Sequence, residues 1–461
     1  MPFNQFTRRD FLQMTGAGLA AASLVGAQAE SRPNVLFIAI DDLNDWVGFL
    51  GGHPNAKTPN LDRLAERSTV FTHAYCAAPL CNPSRAALMT GIQPARSGVY
   101  DNGMDWRKAP IFEKHPTLSK HFMNNGYSAI GSGKIFHGPY QDPSSWKEYW
   151  PSKEKNRPDD PMPPKTPWYG GKAARAHFDW GPLDIGENEM GDWKVTSWVI
   201  DQLNREHTQP FFLACGVFRP HLPWYVPKKY YDMHPLDEIE LPPVNEKDLE
   251  DLSPLAHEIA EAGNDNKRIL GHGKWREAVQ SYLACTSFAD ACVGRVLDAL
   301  DASPHSDNTM IVLWSDHGWH LGEKLHWRKR TLWEEGTRNL LLFSGTGIAP
   351  GQRCDTPVSL LDVYPTLLDL CHLSPVDGLD GQSLRPLLED PSAEWERPAI
   401  TTHLKGNHSV RSKRWRYIRY HDGSEELYDH RYDPLEWTNL AGQPLYADVI
   451  DNLRPWLPES P

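Results

Sequence analysis

Residues Asn34-Val35-Leu36-Phe37-Ile38-Ala39-Ile40 form an unbroken apolar run of strand length that stops at the pair Asp41-Asp42. A strand without polar alternation is one buried on both faces, the habit of sheets covered by helices on each side. Runs of the same kind lie at 210–217, 309–314 and 340–343, each near a stretch of helical pattern. Residues 59–68, 115–125, 193–205 and 274–300 read as helices, and in the last of these the apolar positions recur at helical spacing. The alternation predicts an α/β fold with a mostly parallel or mixed central sheet flanked by helices.

From about residue 394 the texture changes to short strand-like segments at 399–403, 415–421 and 425–429, with a helical end near 445–456, which predicts a small antiparallel subdomain. Stretches 150–182 and 225–270, rich in Pro, Gly and charge, read as insertions over one face of the sheet. A chain of 461 residues exceeds what one hydrophobic core usually serves. The expected division is a large domain over 30–390 and a smaller one over 391–461.

Charge narrows the function. A formal net charge of −13 disfavours a nucleic-acid binder, which needs clustered Lys and Arg. Any anionic ligand must be drawn by a few basic groups focused in a cleft. The amino terminus carries Thr7-Arg8-Arg9-Asp10-Phe11-Leu12, a short apolar run and Ala27-Gln28-Ala29, the order of features in a twin-arginine export signal over 1–29. Its removal takes away two arginines and one aspartate and leaves −14. The apolar run is too short to span a bilayer, so the expectation is a periplasmic or secreted protein without stable membrane insertion, with the twin-arginine machinery as a partner. The seven cysteines show neither zinc-site nor disulfide-framework spacing, and Cys285 and Cys292 stand too far apart along one helix to bridge.

Asp41-Asp42 end one predicted buried strand, and Asp316-His317 follow another. Carboxylates at the carboxyl ends of parallel strands converge on the crevice where α/β sheets bind ligands. Mostly oxygen donors suit a hard cation such as Ca²⁺, and Mg²⁺ fits almost as well; taken singly, each Asp is also a common turn or cap residue. The segment Cys81-Asn82-Pro83-Ser84-Arg85, continuing through Ala86-Ala87-Leu88-Met89 to Thr90-Gly91, resembles the signature of the formylglycine-dependent type I sulfatases of the alkaline-phosphatase superfamily. A helix is expected to start near Pro83.

What that resemblance implies is specific. A maturation enzyme, the formylglycine-generating enzyme, oxidises Cys81 to formylglycine, whose hydrate offers one hydroxyl to attack sulfur and a second to expel sulfate. Asp41, Asp42, Asp316 and His317, with the modified Cys81, share one Ca²⁺. Arg85 hydrogen-bonds the formylglycine and the metal carboxylates. Gly133-Lys134-Ile135-Phe136-His137 resembles a segment in which the Lys binds sulfate and the His assists turnover. Arg219-Pro220-His221-Leu222-Pro223-Trp224 resembles one whose His faces the ester oxygen. Asp316-His317-Gly318-Trp319-His320-Leu321-Gly322-Glu323 leads on to Lys329, the second sulfate-binding Lys, with Lys324 as the alternative.

The likeness spans about 33–442 and is strongest to the iduronate-2-sulfatase branch, through 98–107, 219–224 and 316–323. That branch implies exo-action on a sulfated saccharide, a uronic acid 2-O-sulfate first. Two rival readings stand beside it: a phosphodiesterase or phosphonate hydrolase of the same superfamily, and a non-catalytic binder of sulfated glycans with Cys81 unconverted. His53, His73, His320 and His326 are expected to be structural or rim residues, while Asp45, Asp105 and Trp106 are candidates for sugar contact. One expectation is testable from sequence alone. Expressed with its leader in a host that has the twin-arginine system, the exported protein should begin at Glu30; an exported protein still carrying Met1 by amino-terminal sequencing would contradict the signal assignment.

Overall fold

A computed structural model of the chain describes residues 32–163 and 178–459. The export signal and part of the 150–182 insertion lie outside the described residues. The run Asn34–Ile40 is strand β1, buried at all seven positions. It sits inside an eight-stranded sheet with β2 (Ser68–Phe71), β3 (Ser128–Gly133), β4 (Glu148–Trp150), β5 (Phe211–Val217), β6 (Thr309–Ser315), β7 (Leu341–Gly345) and β8 (Gln352–Cys354). Side by side the order is β8-β2-β7-β6-β1-β5-β3-β4. The five strands from β6 to β4 are parallel. β7 runs antiparallel to both β6 and β2, which makes the sheet mixed.

Successive side chains of β1 enter opposite layers, as the pleat requires. Leu36, Ile38 and Ile40 pack beneath α1 (Pro59–Glu66), α4 (Gly191–Leu203) and the long α5 (Trp275–Asp301). Val35, Phe37 and Ala39 pack against α2 (Cys81–Thr90), α3 (Leu118–Asn124) and α6 (Val363–Leu370). The helix expected over 59–68 stops at Glu66, because Ser68 already opens β2. β3, Ser-Ala-Ile-Gly-Ser-Gly, carries no apolar run and was not legible as a strand, yet all six residues are buried. Its glycine end serves close approach. A Cβ on Gly133 (φ +85°) would lie 1.9 Å from the Gly216 carbonyl oxygen, so glycine here lets β3 lie tight against β5.

Register brings the strand ends level with one another. Ile40 of β1 is paired with Ser315 of β6 and Val217 of β5, and Gly133 of β3 with Gly216 of β5. The segments leaving four neighbouring parallel strands therefore emerge at one edge.

The carboxyl-terminal subdomain is an antiparallel meander of β9 (Ala399–Thr402), β10 (His408–Arg411), β11 (Trp415–Arg419) and β12 (Glu425–Asp429), followed by α7 (Ala447–Leu453). β10 escaped the sequence pattern, since His408-Ser409-Val410-Arg411 holds one aliphatic residue. Glu334, from the larger domain, docks this sheet. It accepts Arg411 Nε at 3.2 Å and the guanidinium of Arg416, and Tyr75 donates its hydroxyl at 2.8 Å. Arg416 also meets Glu436 at 2.5 Å, and His430 meets Glu436 at 2.8 Å. Burial pushes the Glu334 carboxyl up, but Arg411, His430 and Arg416 outweigh it and hold it well below the ordinary range.

Among the described residues no helix is long and apolar enough to cross a membrane. All seven cysteines are buried and unbridged. Glu334→Ala should cost about 3–5 kcal/mol, the scale for stranding buried charge, read as a lower urea midpoint. Because the Glu334 pKa is depressed in the folded state, its contribution is present above about pH 4.5 and is lost as pH falls below that. The gap between wild type and variant should accordingly shrink on acidification. A gap below about 1 kcal/mol at neutral pH would contradict the hub assignment.

Candidate active site

β1 delivers Asp41 and Asp42, β6 delivers Asp316 and His317, β3 leads to Lys134, and β5 leads to Arg219 and His221. Helix α2 points its first residue, Cys81, into the same space, so the helix starts slightly earlier than the expected Pro83. Its N-terminal end brings positive potential to the site, and Asn102 Oδ1 accepts the Asn82 amide at 2.9 Å.

One turn along α2, Arg85 is wholly buried and uses every arm of its guanidinium. Nε donates to Asp316 Oδ2 at 2.8 Å and Nη2 to Asp41 Oδ1 at 3.0 Å. Nη1 donates to the backbone carbonyls of Lys134 and Ile135, and the group lies 5.4 Å from the Trp314 ring centre. Asp41 Oδ2 is paired with Lys134 Nζ. Burial raises the Asp41 pKa, but Lys134 and Arg85 outweigh it and hold the carboxyl far below the ordinary range.

Asp42 faces the other way. Its backbone is left-handed (φ +58°), and its amide donates to Asp316 Oδ1 at 3.0 Å. Lys329 Nζ reaches Asp42 Oδ1 at 2.6 Å and Cys81 Sγ at 2.9 Å, while His221 Nε2 stands 3.8 Å from Asp42 Oδ2. Burial raises the pKa of both Asp42 and Asp316. For the Cys81 thiol burial also pushes upward, but Lys134 and Lys329, with hydrogen bonds from His137 and His221, bring it well below the ordinary value.

His317 shows what the cluster can hold. Its Nδ1 is 2.9 Å from the Gly318 carbonyl oxygen, and because a carbonyl only accepts, Nδ1 carries the hydrogen. Nε2 then faces Asp42 Oδ1 at 3.3 Å, Asp316 Oδ2 at 3.5 Å and Cys81 Sγ at 3.4 Å. A bare nitrogen among carboxylate oxygens is repulsive unless a proton or a cation stands between them. Burial lowers the His317 pKa, but Asp316 and Cys81 together outweigh it and raise it, the proton's version of the same demand. Asp42 Oδ2 is buried without a hydrogen-bond partner among the described residues. Ligand atoms of Asp42, Cys81, Asp316 and His317 all lie within 4.8 Å of one another. A hard divalent cation fits this donor set, with Asp41 adjoining.

His221 stacks on Phe218 with ring centres 4.4 Å apart and places Nδ1 2.6 Å from the Leu222 carbonyl oxygen; burial lowers its pKa. His137 is partly buried, and its Nδ1 has no hydrogen-bond partner among the described residues. Asp192, which no sequence pattern singles out, accepts the amides of Phe218 and Arg219 at 2.8 and 2.9 Å and so sets the turn that aims His221. Tyr282 similarly holds the backbone beyond β1, donating to the Asp42 carbonyl at 2.9 Å.

The two candidate lysines separate cleanly. Lys329 is at Cys81, whereas Lys324 is buried elsewhere, 2.7 Å from Asp248 and against the rings of Trp333 and Tyr428. Of the sugar-contact candidates, Asp105 pairs with Arg107, Trp106 stacks 5.2 Å from Phe136 inside the core, and Asp45 pairs with Arg338. None lines the cavity of about 360 Å³ that opens over Asp42, His221 and Lys329. His320 and His53 are bonded into the fold, His73 bonds Thr72, and His326 joins the cavity wall. The 225–270 stretch does reach this face, with Ala262, Gly263 and Asp265 at the rim.

A family model described as Sulfatase matches residues 33–373, and one described as N-sulphoglucosamine sulphohydrolase, C-terminal, matches residues 322–460. A sulfatase of Formosa agariphila is 39% identical over 444 residues, covering 93% of this chain and 87% of that one. Iduronate 2-sulfatase of Mus musculus is 31% identical over 532 residues, covering 93% and 94%. The fold is similar to that of a phosphonate monoester hydrolase from Silicibacter pomeroyi, at a TM-score of 0.76 and 22% identity over 92% and 94% of the two chains. Arg85→Lys should lower stability by about 2–4 kcal/mol and also lower activity, since one ammonium cannot serve partners spread around a fork. A thermal midpoint unchanged from wild type would contradict the role given to Arg85.

Proposed function

Because the chain belongs to the sulfatase family and is a sulfuric ester hydrolase, we propose that it removes sulfate from the end of a sulfated saccharide, a uronic acid 2-O-sulfate first. The carrying observation is the convergence of Cys81, three carboxylates and two lysines at one buried edge of the sheet. In this reading Cys81 is converted to formylglycine by a maturation enzyme, and Asp41, Asp42, Asp316 and His317 hold one Ca²⁺. The likeness to iduronate 2-sulfatase supports the sugar class. A cavity of about 360 Å³, near the lower end of small-ligand pockets, supports a terminal sugar. Residues 1–29 send the enzyme to the periplasm or beyond.

A sulfate ester resists attack because its peripheral oxygens repel a nucleophile, so the site must neutralise them first. Formylglycine supplies a hydrated carbonyl for reversible covalent chemistry, and the calcium ion supplies positive charge beside it. Without that ion Asp41, Asp42 and Asp316 formally balance Arg85, Lys134 and Lys329. Lys134 and Lys329, already within reach of Asp41, Asp42 and Cys81, bind the sulfate oxygens and stabilise charge that grows in the transition state. His137, within hydrogen-bond reach of position 81, would assist turnover of the diol there by holding or returning its proton. The Leu222 carbonyl fixes hydrogen on His221 Nδ1, so Nε2, facing the site, gives a proton to the departing sugar oxygen only from the doubly protonated ring, whose charge Asp42 at 3.8 Å favours. Arg85 stays paired and keeps the carboxylates in place.

Cys81→Ala should abolish turnover with folding retained, and Cys81→Ser should be nearly as inert, because an alcohol cannot expel sulfate by collapsing to a carbonyl. More than about one per cent of activity in either would sink the covalent reading. EDTA should remove activity and Ca²⁺ restore it. His221→Ala should slow sugar sulfates far more than an activated aryl sulfate, whose leaving group needs no proton; equal losses would remove His221 from the acid role. Aryl phosphodiester hydrolysis faster than aryl sulfate hydrolysis would favour the phosphodiesterase reading instead.

A further inference from the structure

Five consecutive residues, His326-Trp327-Arg328-Lys329-Arg330, all line the cavity over Asp42. A regular strand cannot do this, since alternate side chains face opposite sides. The backbone shows how it is done: Arg328 and Arg330 hold φ of +75° and +81°, in the left-handed region that costs an L residue energy. Such strain persists only where the surroundings enforce it. Leu321 and His320 pair with Trp327 and Arg328, the Lys329 carbonyl stands 3.0 Å from His326 Nε2, and the Arg330 amide donates to the Pro79 carbonyl at 3.1 Å. Pro79 lies two residues before Cys81, so Arg330 is tied directly to the approach of the nucleophile.

The two arginines differ in what they can still bind. Arg328 is engaged by Asp265 at 2.7 Å and lies 4.4 Å over the Phe178 ring. Arg330 has one ion pair among the described residues, Nη1 to Asp101 Oδ2 at 3.1 Å, and its side chain is 46% exposed against 38% for Asp101. An exposed pair of that kind is weak, and a ligand carboxylate can replace it. A guanidinium presents parallel N–H donors that match a carboxylate bidentately. Leu80, Leu222, Trp319 and Trp327 give the cavity apolar walls, so Arg330 is the cation beside Lys329 suited to a second negative group.

We propose that Arg330 is a specificity-determining residue that binds the carboxylate of the same uronic acid whose sulfate is held by Lys329. This rests on the uronate reading of the substrate. The test measures kcat/KM for wild type, Arg330→Ala, Arg330→Lys and Asp101→Asn on three substrates: a 2-O-sulfated hexuronate-terminated disaccharide, its carboxyl-reduced counterpart, and an aryl sulfate. Arg330→Ala should lose on the order of 10- to 100-fold on the uronate, the scale of one charge-assisted contact, with losses within about threefold on the other two. Arg330→Lys should recover part of the loss. Asp101→Asn, which releases Arg330 from its pair, should hold or raise the uronate value, and so tests the idea even if Arg330→Ala folds poorly. Equal losses on the uronate and the carboxyl-reduced sugar would overturn the inference while leaving uronate hydrolysis intact. A wild type that cleaves the aryl sulfate but no uronate would overturn the substrate reading, and this inference with it.

Discussion

Arg85 sits without solvent contact between Asp41 and Asp316, and the rest of the site depends on that burial. A charge removed from water must find partners in every direction its donors point, or the fold loses several kcal/mol. Here the partners come from the ends of β1, β6 and β3, so one side chain on α2 fixes a helix against three strands. Cys81 lies one helical turn from Arg85 and inherits that placement. The left-handed turn at Asp42 completes the division of labour, because it sends neighbouring carboxylates to opposite sides, Asp41 toward Arg85 and Lys134, Asp42 toward Lys329 and His221. Asp tolerates that conformation better than most L residues.

This arrangement also answers how an acidic protein binds an anion. The net charge of −13 is spread over the whole chain, while Lys134 and Lys329 are concentrated where the dielectric is low and each charge acts more strongly. In the proposed reading the sulfate end of the cleft is thereby rigid and generic. Selectivity, as proposed, falls to the segment beside it, where left-handed backbone at Arg328 and Arg330 turns consecutive side chains toward one cavity. Separating the two tasks lets the chemistry stay fixed while the neighbouring loop chooses the sugar.

Much of this was legible in the sequence, for reasons that differ by residue. β1, β5 and β6 announce themselves as unbroken apolar runs because they are covered on both faces. The acidic pair after β1 and the Asp-His pair after β6 fall at one edge on sequence grounds alone, since parallel strands share a carboxyl end. β3 and β10 were not legible, because small and polar residues form them under tertiary contacts that no local pattern records. The choice between Lys324 and Lys329 depended on a chain path through five left-handed or glycine positions between Gly322 and Arg330. Asp192 and Tyr282 were invisible for a similar reason: they act on backbone groups far away in sequence.

The proposed chemistry turns on position 81 acting as a carbonyl and not as a thiol. Intact-mass analysis of the tryptic peptide containing Cys81, from protein produced in a host with the maturation enzyme, addresses that point without intermediaries. The expected peptide has sulfur exchanged for oxygen with two hydrogens lost, and it forms a hydrazone with a hydrazine reagent. A fully active preparation whose peptide carries an unmodified, alkylatable thiol would contradict the carbonyl at position 81.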